Sequence, residues 1–294
     1  MTRNPVLYCL LFVAVVAVSF GAILIRLAGE APALTIAAWR LAVATVILLP
    51  LALRKRVVSG MNRTERILSL TSGLFLALHF VFWVSSLRYT SIASSVVIVS
   101  TNPVFVGLGA RLFFREHLSK FLMMGIALSV IGGAIIGWGD IRIGGEALYG
   151  DLLALGGAMM ASSYLLVGRR VRSRTHLLNY IFVSYGAAAA VLLAAALLFD
   201  ELLGGFSGMT YIYLVLLAVG PQLVGHTTLN WALRYLSVSV VAVVTLGEPI
   251  FSTVFAYLMF DEHLTLLKGL GALIILMGIY LSVREVGLVD SKGQ

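Results

Sequence analysis

Apolar stretches of spanning length recur along the whole chain, and only short polar connections separate them. A helix needs about 20 apolar residues to cross the hydrocarbon core of a bilayer. The first run, from about Val6 to Ile25, is longer than the apolar region of a signal peptide, so we interpret it as a helix. The pattern predicts an all-α integral membrane protein with ten transmembrane helices, near residues 5–26, 32–53, 67–87, 90–113, 119–138, 147–168, 177–199, 211–233, 236–260 and 265–283.

Composition supports this interpretation and removes several function classes. The chain is 60% hydrophobic and 12% charged, with a mean hydropathy of +1.02, whereas soluble domains are about half apolar and about a quarter charged. With Cys9 as its single cysteine, the chain cannot form an intrachain disulfide. We find no GxxxxGK[ST], HExxH or G-x-S-x-G pattern. We therefore expect no ATP-driven transport by this chain alone, no cofactor, no metal site and no enzymatic activity.

The distribution of the 21 Lys and Arg residues predicts the orientation in the membrane. With both termini in the cytoplasm, sixteen of them would lie on the cytoplasmic side and four outside, with Arg40 inside a span. Cytoplasmic loops carry an excess of Lys and Arg. We therefore expect a multi-pass protein of the inner or plasma membrane with cytoplasmic termini. The formal charge of +8 reflects these loops rather than one basic face, so we expect no nucleic-acid partner.

The two halves of the chain repeat each other at a constant offset of 146 residues. SLRYTSIASSVVIVSTNPVF (86–105) matches ALRYLSVSVVAVVTLGEPIF (232–251), and 15 of the 46 positions between 87–132 and 233–278 are identical. Each half holds five predicted spans, so the second repeat would enter the membrane inverted, as in many secondary transporters. The sequence predicts a first repeat over 1–140, an inverted second repeat over 147–285, and a cytoplasmic tail over 286–294.

Two prolines occupy matching positions in these repeats. Pro103 follows Asn102 in the fourth predicted span, and Pro249 follows Glu248 in the ninth. Proline removes a helix hydrogen bond and bends the helix. Paired breaks in inverted halves indicate a substrate cavity at the midplane, although hinge or packing prolines would produce the same pattern.

Glu248 is the one carboxylate deep inside a predicted span. A charge at the bilayer centre costs about 2.5–3.5 kcal/mol on insertion scales, so such groups usually have a function. We consider Glu248 the candidate for proton coupling. A glutamate that stays protonated and bonds a neighbouring helix is the alternative.

Other polar residues inside spans extend the candidate cavity. Gln222, His226 and Asn230 follow one another at i, i+4 and i+8, which places them on one helix face, with Trp231 adjacent. His79 and Trp83 share a face in the third span, and residue 79 corresponds to 225 in the second repeat. The mid-span residues Ser19 and Tyr164 complete the set of predicted cavity residues: His79, Trp83, Asn102, Gln222, His226, Asn230, Trp231, Glu248, Tyr164 and Ser19. Structural hydrogen bonding is the alternative for the histidines.

Two further features have open interpretations. Arg40 lies inside the second span and would bind a substrate carboxylate, pair with Glu248 or extend to the membrane surface; we expect the last, because it is a few turns from the outer end. Gly125, Gly132, Gly271 and Gly278 are spaced for close helix packing, either within the bundle or between protomers of a homodimer.

These residues resemble those of a known family. The segment APALTIAAWRL (31–41), the LRY segments leading into Asn-Pro and Gly-Glu-Pro, and the sequences FREHL (114–118) and FDEHL (260–264) are similar to those of EamA-type transporters of the drug/metabolite superfamily. The resemblance covers nearly the whole chain. It implies a secondary transporter with cytoplasmic termini and a central cavity between the halves. Asn102 occupies in the first repeat the position that Glu248 has in the second. Proton coupling would therefore depend on one repeat only.

The sequence therefore predicts a secondary active transporter working by alternating access. Its partners would be the lipid bilayer, a small organic solute and, if coupled, protons. An amino acid or related metabolite, exported from the cell, is the first candidate substrate. Multidrug efflux is the alternative in the same class, and a facilitative channel is the alternative outside it.

Overall fold

A computed structural model describes residues 5–58, 60–90, 92–137, 145–260 and 265–289, and within these ranges the chain is helical, without a strand. Arg142, Glu262, His263 and residues 290–294, which entered the charge, repeat and tail predictions, lie outside these ranges. The helices are α1 (Pro5–Leu27), α2 (Ala33–Arg54), α3 (Arg63–Ser86), α4 (Ile92–Val99), α5 (Asn102–Phe114), α6 (Lys120–Gly137), α7 (Gly145–Arg172), α8 (Leu177–Leu198), α9 (Gly208–Leu217), α10 (Thr227–Ala232), α11 (Val238–Val244), α12 (Glu248–Phe260) and α13 (Leu266–Val289).

Eight helical segments of the described chain are long and apolar enough to cross a membrane. Five are single helices, namely α1, α2, α3, α7 and α8, and three are interrupted, over Ser94–Phe114, Gly208–Ala232 and Val238–Phe260. The stretches Lys120–Ile135 and Gly269–Ser282, in α6 and α13, are shorter apolar helices. These segments make the chain a multi-pass membrane protein.

Local sequence explains where several of these helices begin. Asn62 and Glu65 form a capping box at α3, in which each side chain accepts a hydrogen bond from the other's backbone N–H. Ser207 and Ser237 cap α9 and α11 by accepting bonds from backbone N–H groups three residues later. These caps satisfy helix donors that have no partner inside the helix.

Three helix pairs make the most extensive contacts: α6 with α13, α3 with α7, and α2 with α8. Small residues allow some of these helices to approach closely. A Cβ at Gly73 would lie 2.5 Å from the carbonyl oxygen of Ser184 in α8, and a Cβ at Gly132 would lie 2.6 Å from that of Gly271 in α13. Since helices in lipid associate through close packing, such contacts hold the bundle together.

One end of the bundle is tied together by carboxylates. Glu30, between α1 and α2, accepts bonds from the backbone N–H of Ser207 (3.0 Å) and from Thr210 Oγ1 (2.6 Å) at the start of α9. Glu201, after α8, accepts a bond from the backbone N–H of Thr35 at the start of α2 (3.1 Å). Each acid lies at a helix N-terminus, where negative charge is favoured. We call these contacts the Glu30 clasp.

Candidate functional site

Two helix interruptions lie close to each other in the fold. α4 ends at Val99 and α5 begins at Asn102, with Pro103 at its first turn. α11 gives way to a 3₁₀ turn over Thr245–Gly247, and α12 begins at Glu248. Proline is well suited to a first helical turn because its missing N–H would have no partner there. The interruptions thus place Asn102 and Glu248 at helix starts.

A cavity lies at these interruptions. The region around it, with the open solvent at its mouth included, holds about 660 Å³ of space without protein atoms. It brings together seven predicted cavity residues, His79, Trp83, Asn102, Tyr164, His226, Asn230 and Glu248. Its other lining residues are Val18, Arg40, Val99, Ala161, Leu165, Leu229 and Thr245.

Three predicted cavity residues lie elsewhere. Ser19 Oγ donates to the carbonyl of Val15 on its own helix (2.7 Å) and does not line the cavity. Trp231 packs on Tyr235, with ring centroids 4.7 Å apart, outside the lining. Gln222 is fully buried behind the cavity, where its side chain holds Arg40.

Arg40 does not extend to the membrane surface, so that prediction is wrong. Its side chain is 2% exposed and lines the cavity. Nε donates to Gln222 Oε1 at 2.9 Å, and the guanidinium lies 4.3 Å from the centre of the Phe80 ring. The bond and the cation–π contact compensate the guanidinium for part of the water it loses. An arginine a few turns from a helix end reaches the surface only if it faces lipid, and α2 turns Arg40 inward.

The segment that positions Gln222 is a π-helix over Ala218–His226, with Pro221 inside it. A π-helix closes hydrogen bonds from i to i+5, so it turns less per residue than an α-helix. Gln222, His226 and Asn230 therefore do not form the single polar face that their i, i+4 and i+8 spacing predicts for an α-helix. His226 and Asn230 line the cavity, while Gln222 reaches Arg40 instead.

The two histidines are packed among aromatic rings. His79 Nδ1 donates to the carbonyl of Gly157 (2.9 Å), and its ring stacks on Trp83 at 5.8 Å. Since a carbonyl only accepts, this bond leaves Nε2 of the neutral ring as an acceptor. His226 meets the Phe80 ring edge to face at 5.8 Å. His79 is therefore a hydrogen-bonding group with a fixed orientation.

Asn230 is the centre of a hydrogen-bond cluster. Its Nδ2 donates to the hydroxyl of Tyr164 and to the carbonyl of His226 (2.8 Å). Its backbone carbonyl accepts a bond from Arg172 Nε (3.1 Å). These partners fix the side chain, which is 1% exposed.

Several buried polar atoms at the cavity have no partner in the described part of the chain. They are Arg40 Nη1, Trp83 Nε1, Asn102 Oδ1 and Asn230 Oδ1 in the lining, with Gln222 Nε2 behind it. Each buried polar atom without a hydrogen bond costs about 1–3 kcal/mol. Native proteins rarely leave such atoms together unless water or a ligand satisfies them. Donors and acceptors around one space can bind a small polar molecule.

The described residues contain no group of three or more His, Cys, Asp and Glu side chains that could hold a metal ion. The cavity instead combines one cation, Arg40, with one carboxyl group, Glu248. Opposite charges in a poorly screened interior attract each other strongly. The arrangement is suited to binding a solute through charge and hydrogen bonds.

Comparisons with known proteins agree with the sequence-based family prediction. A solved crystal structure matches the fold with a TM-score of 0.81 at 18% identity, covering 98% of this chain and all of the other. Two proteins of Archaeoglobus fulgidus, each named "Uncharacterized transporter", are 21% and 24% identical over 81% and 85% of this chain and 82% and 87% of their own lengths. "Uncharacterized transporter YdfC" of Bacillus subtilis is 23% identical over 66% of this chain and 64% of its own.

The model of the EamA-like transporter family matches residues 6–138 and, a second time, residues 148–284. These matches cover nearly all of the helices described above. The predicted family is thereby confirmed, and with it the general assignment as a membrane transporter. The chain belongs to the EamA-like transporter family.

Proposed function

We propose that the protein is a secondary active transporter that exports a small polar organic solute, an amino acid or a related metabolite, across the inner or plasma membrane. The observation that carries this proposal is the group of unpartnered buried polar atoms around the cavity at the two helix interruptions. Solute sites in secondary transporters are commonly formed where helices are broken near the midplane. A purely apolar drug would leave these atoms unsatisfied.

The proposed architecture has ten spans in two inverted repeats, with cytoplasmic termini. Contacts between equivalent positions support it. Ser129 and Ile275, which are 146 residues apart, meet at a distance of 3.5 Å, so each faces its own counterpart. On one side of this point Gly132 packs against Gly271, and on the other Gly125 packs against Gly278, so each glycine meets the counterpart of the other. This crossed pairing is expected when a two-fold axis in the membrane plane relates α6 to α13.

Alternating access would follow from this symmetry. The Glu30 clasp ties α1–α2 to α8–α9 at one end of the bundle. Opening there would require these bonds to break while contacts form at the opposite end. Exchange of roles between inverted repeats is a general route to alternating access.

Glu248 is the proposed proton carrier. It lines the cavity, so a proton and the solute can reach the same group. When ionised, it would bind a donor group of the solute. When protonated, it would release that group, which couples export to proton entry. Its repeat counterpart Asn102 cannot ionise, so one proton site is expected.

The function is tested with purified protein in proteoliposomes, using labelled amino acids as probes. We expect saturable uptake that is accelerated by unlabelled amino acid inside and that responds to a pH gradient. Flux without saturation or acceleration would favour a channel, and transport of ethidium without amino-acid exchange would favour multidrug efflux.

The proton role is tested by Glu248→Gln, with Glu146→Gln as the control because Glu146 is exposed at the start of α7. We expect E248Q to exchange solute without responding to the pH gradient, and E146Q to behave as wild type. An unchanged pH response in E248Q would show that Glu248 does not carry the proton.

A further inference from the structure

We propose that Arg40 is an anion-binding site that holds the carboxylate of the transported solute. This inference rests on the proposed function and assigns a chemical group to its substrate. It arises from three features of Arg40: its side chain is held by Gln222 and Phe80, one guanidinium nitrogen has no partner in the described chain, and the residue lines the cavity.

Arg40 is immobilised from two sides. Gln222 accepts the bond from Nε at 2.9 Å, and the Phe80 ring covers the guanidinium face at 4.3 Å. Arg40 belongs to α2, Gln222 to the π-helical segment and Phe80 to α3. Three elements therefore determine where the guanidinium lies. A group held in place before binding loses little conformational entropy when a ligand arrives.

One nitrogen of the guanidinium is unsatisfied. Arg40 Nη1 is buried without a hydrogen-bond partner in the described chain, and the residue lines the cavity. The indole Nε1 of Trp83, which also lines the cavity, is a second buried donor without a partner. Both atoms can only donate. They therefore select an acceptor group, and a carboxylate accepts several bonds at once.

A glycine of α1 packs beside these groups. A Cβ at Gly21 of α1 would lie 3.7 Å from Arg40 Nη1 and 3.2 Å from Trp83 Cη2. Any side chain here would therefore crowd the indole of Trp83 and contact the guanidinium of Arg40. Glycine at this position lets α1 pack against both groups without displacing them.

The charge of Arg40 explains why the ligand is an anion rather than a neutral acceptor. A buried guanidinium without a directly bonded anion is costly, and its fork matches a carboxylate in a bidentate fashion. Glu248 lines the same cavity. Within the described chain no hydrogen bond joins Glu248 to Arg40, whose side-chain bond goes to Gln222, and Nη1 has no partner. A solute carboxylate supplies the missing acceptor and leaves Glu248 free to bind a donor group.

The experiment uses matched acids and amides: L-leucine with L-leucinamide, and L-phenylalanine with L-phenylalaninamide. Purified full-length protein is titrated with each at pH 7, and the thermal unfolding midpoint gives an apparent affinity, since a ligand that binds the folded state stabilises it. We expect at least one acid to raise the midpoint at concentrations where its amide does not, with at least a tenfold difference in affinity.

Variants assign that preference to Arg40. Arg40→Gln should abolish the acid-dependent shift, whereas Arg54→Gln, at the exposed end of the same helix, should keep it. Arg40→Lys retains the charge without the planar fork, so it should bind the acid at least tenfold more weakly while remaining monodisperse. If R40Q does not fold, R40K alone tests whether Arg40 holds the carboxylate.

The proposal is overturned if amides stabilise as well as acids, if no acid stabilises, or if R40K and R40Q bind acids like the wild type. Its failure can be distinguished from failure of the proposed function. If the protein exchanges a solute without a carboxylate in proteoliposomes, and both Arg40 variants keep that exchange, the protein is a transporter whose cavity has no anion site at Arg40.

Discussion

Gly125 and Gly278 face each other where α6 crosses α13. A Cβ built on either glycine would lie 2.6 Å from the carbonyl oxygen of the other. A Cβ built on Gly132 would lie at the same distance from the carbonyl oxygen of Gly271. The glycines that the sequence left open to two interpretations therefore form a close packing surface inside the bundle. Backbone approach at this distance excludes any side chain.

Substitution of one of these glycines should destabilise the protein, while a matched glycine should tolerate it. Gly132→Ala would place a methyl group 2.6 Å from the carbonyl oxygen of Gly271, and we expect overpacking to cost about 1–3 kcal/mol. Gly269→Ala in α13 meets nothing within 4 Å, and higher helix propensity should stabilise it by about 0.5–1 kcal/mol. Thermal unfolding in detergent measures both. Equal midpoints would contradict the packing described here.

The two tryptophans singled out in the sequence should behave differently in binding. Trp83→Phe removes a buried donor that lines the cavity without a partner, so we expect solute affinity to fall by about fivefold, the value of one hydrogen bond of about 1 kcal/mol. Trp231→Phe changes a side chain outside the lining and should leave affinity unchanged. Saturation of amino-acid exchange in proteoliposomes distinguishes them. A loss confined to W231F would place the solute elsewhere.

The Glu30 clasp should make the thermal stability of the protein fall as the pH is lowered into the acid range. Hydrogen bonds from Thr210 and then Ser207 hold the pKa of Glu30 below its ordinary value of 4.5. A carboxyl whose pKa is lowered by folding stabilises the protein above the unfolded pKa, and this contribution is lost as pH falls through the lowered value. Wild type should therefore unfold at a higher temperature than Glu30→Gln at pH 7, with the difference shrinking below about pH 4.

The matched control for this clasp is again Glu146→Gln, at an exposed carboxyl. The thermal unfolding midpoint of E146Q should equal that of the wild type at pH 7 and at pH 3. A difference between wild type and E30Q that stays constant from pH 7 to pH 3 would mean that the carboxylate charge does not hold the two loops together.

Glu116, in the connection after α5, should have the opposite pH dependence. Burial raises the pKa of this carboxyl above 4.5, although the positive charge of Arg169 and a hydrogen bond from Ser239 oppose the shift. A carboxyl whose pKa is raised by folding favours the folded state below the unfolded pKa, and that contribution is lost as pH rises through the folded value. Glu116→Gln should therefore become progressively more stable than wild type as pH rises from 4 to 7. A difference that shrinks over this range would contradict it.

Much of the cavity could be predicted because a polar side chain inside an apolar run is costly in lipid. His79, His226, Asn230 and Glu248 are predicted on this ground, and Asn102 is predicted from its position in the repeat. All five line the cavity. The cost of a polar group in lipid does not determine which way its side chain points. Ser19 returns its hydroxyl to the carbonyl of Val15, which satisfies it without a cavity.

Arg40 shows the limit most clearly. Along the chain, its position a few turns from a helix end is compatible with the surface and with the interior alike. Its direction depends on the rotation of α2 against α3 and α8, and its partner Gln222 comes from a π-helical segment 182 residues away. Neither the rotation nor the π-helix follows from the residues around Arg40.

The sequence by itself determined the membrane-spanning character, the repeat, the family and most of the polar cavity residues, because hydrophobicity and proline act locally and are visible in one dimension. The tertiary structure decided which polar groups meet, which glycines pack within the bundle, and that Arg40 faces the cavity. These outcomes depend on how helices rotate and approach one another, and the energies that set those angles come from contacts between residues far apart in the chain.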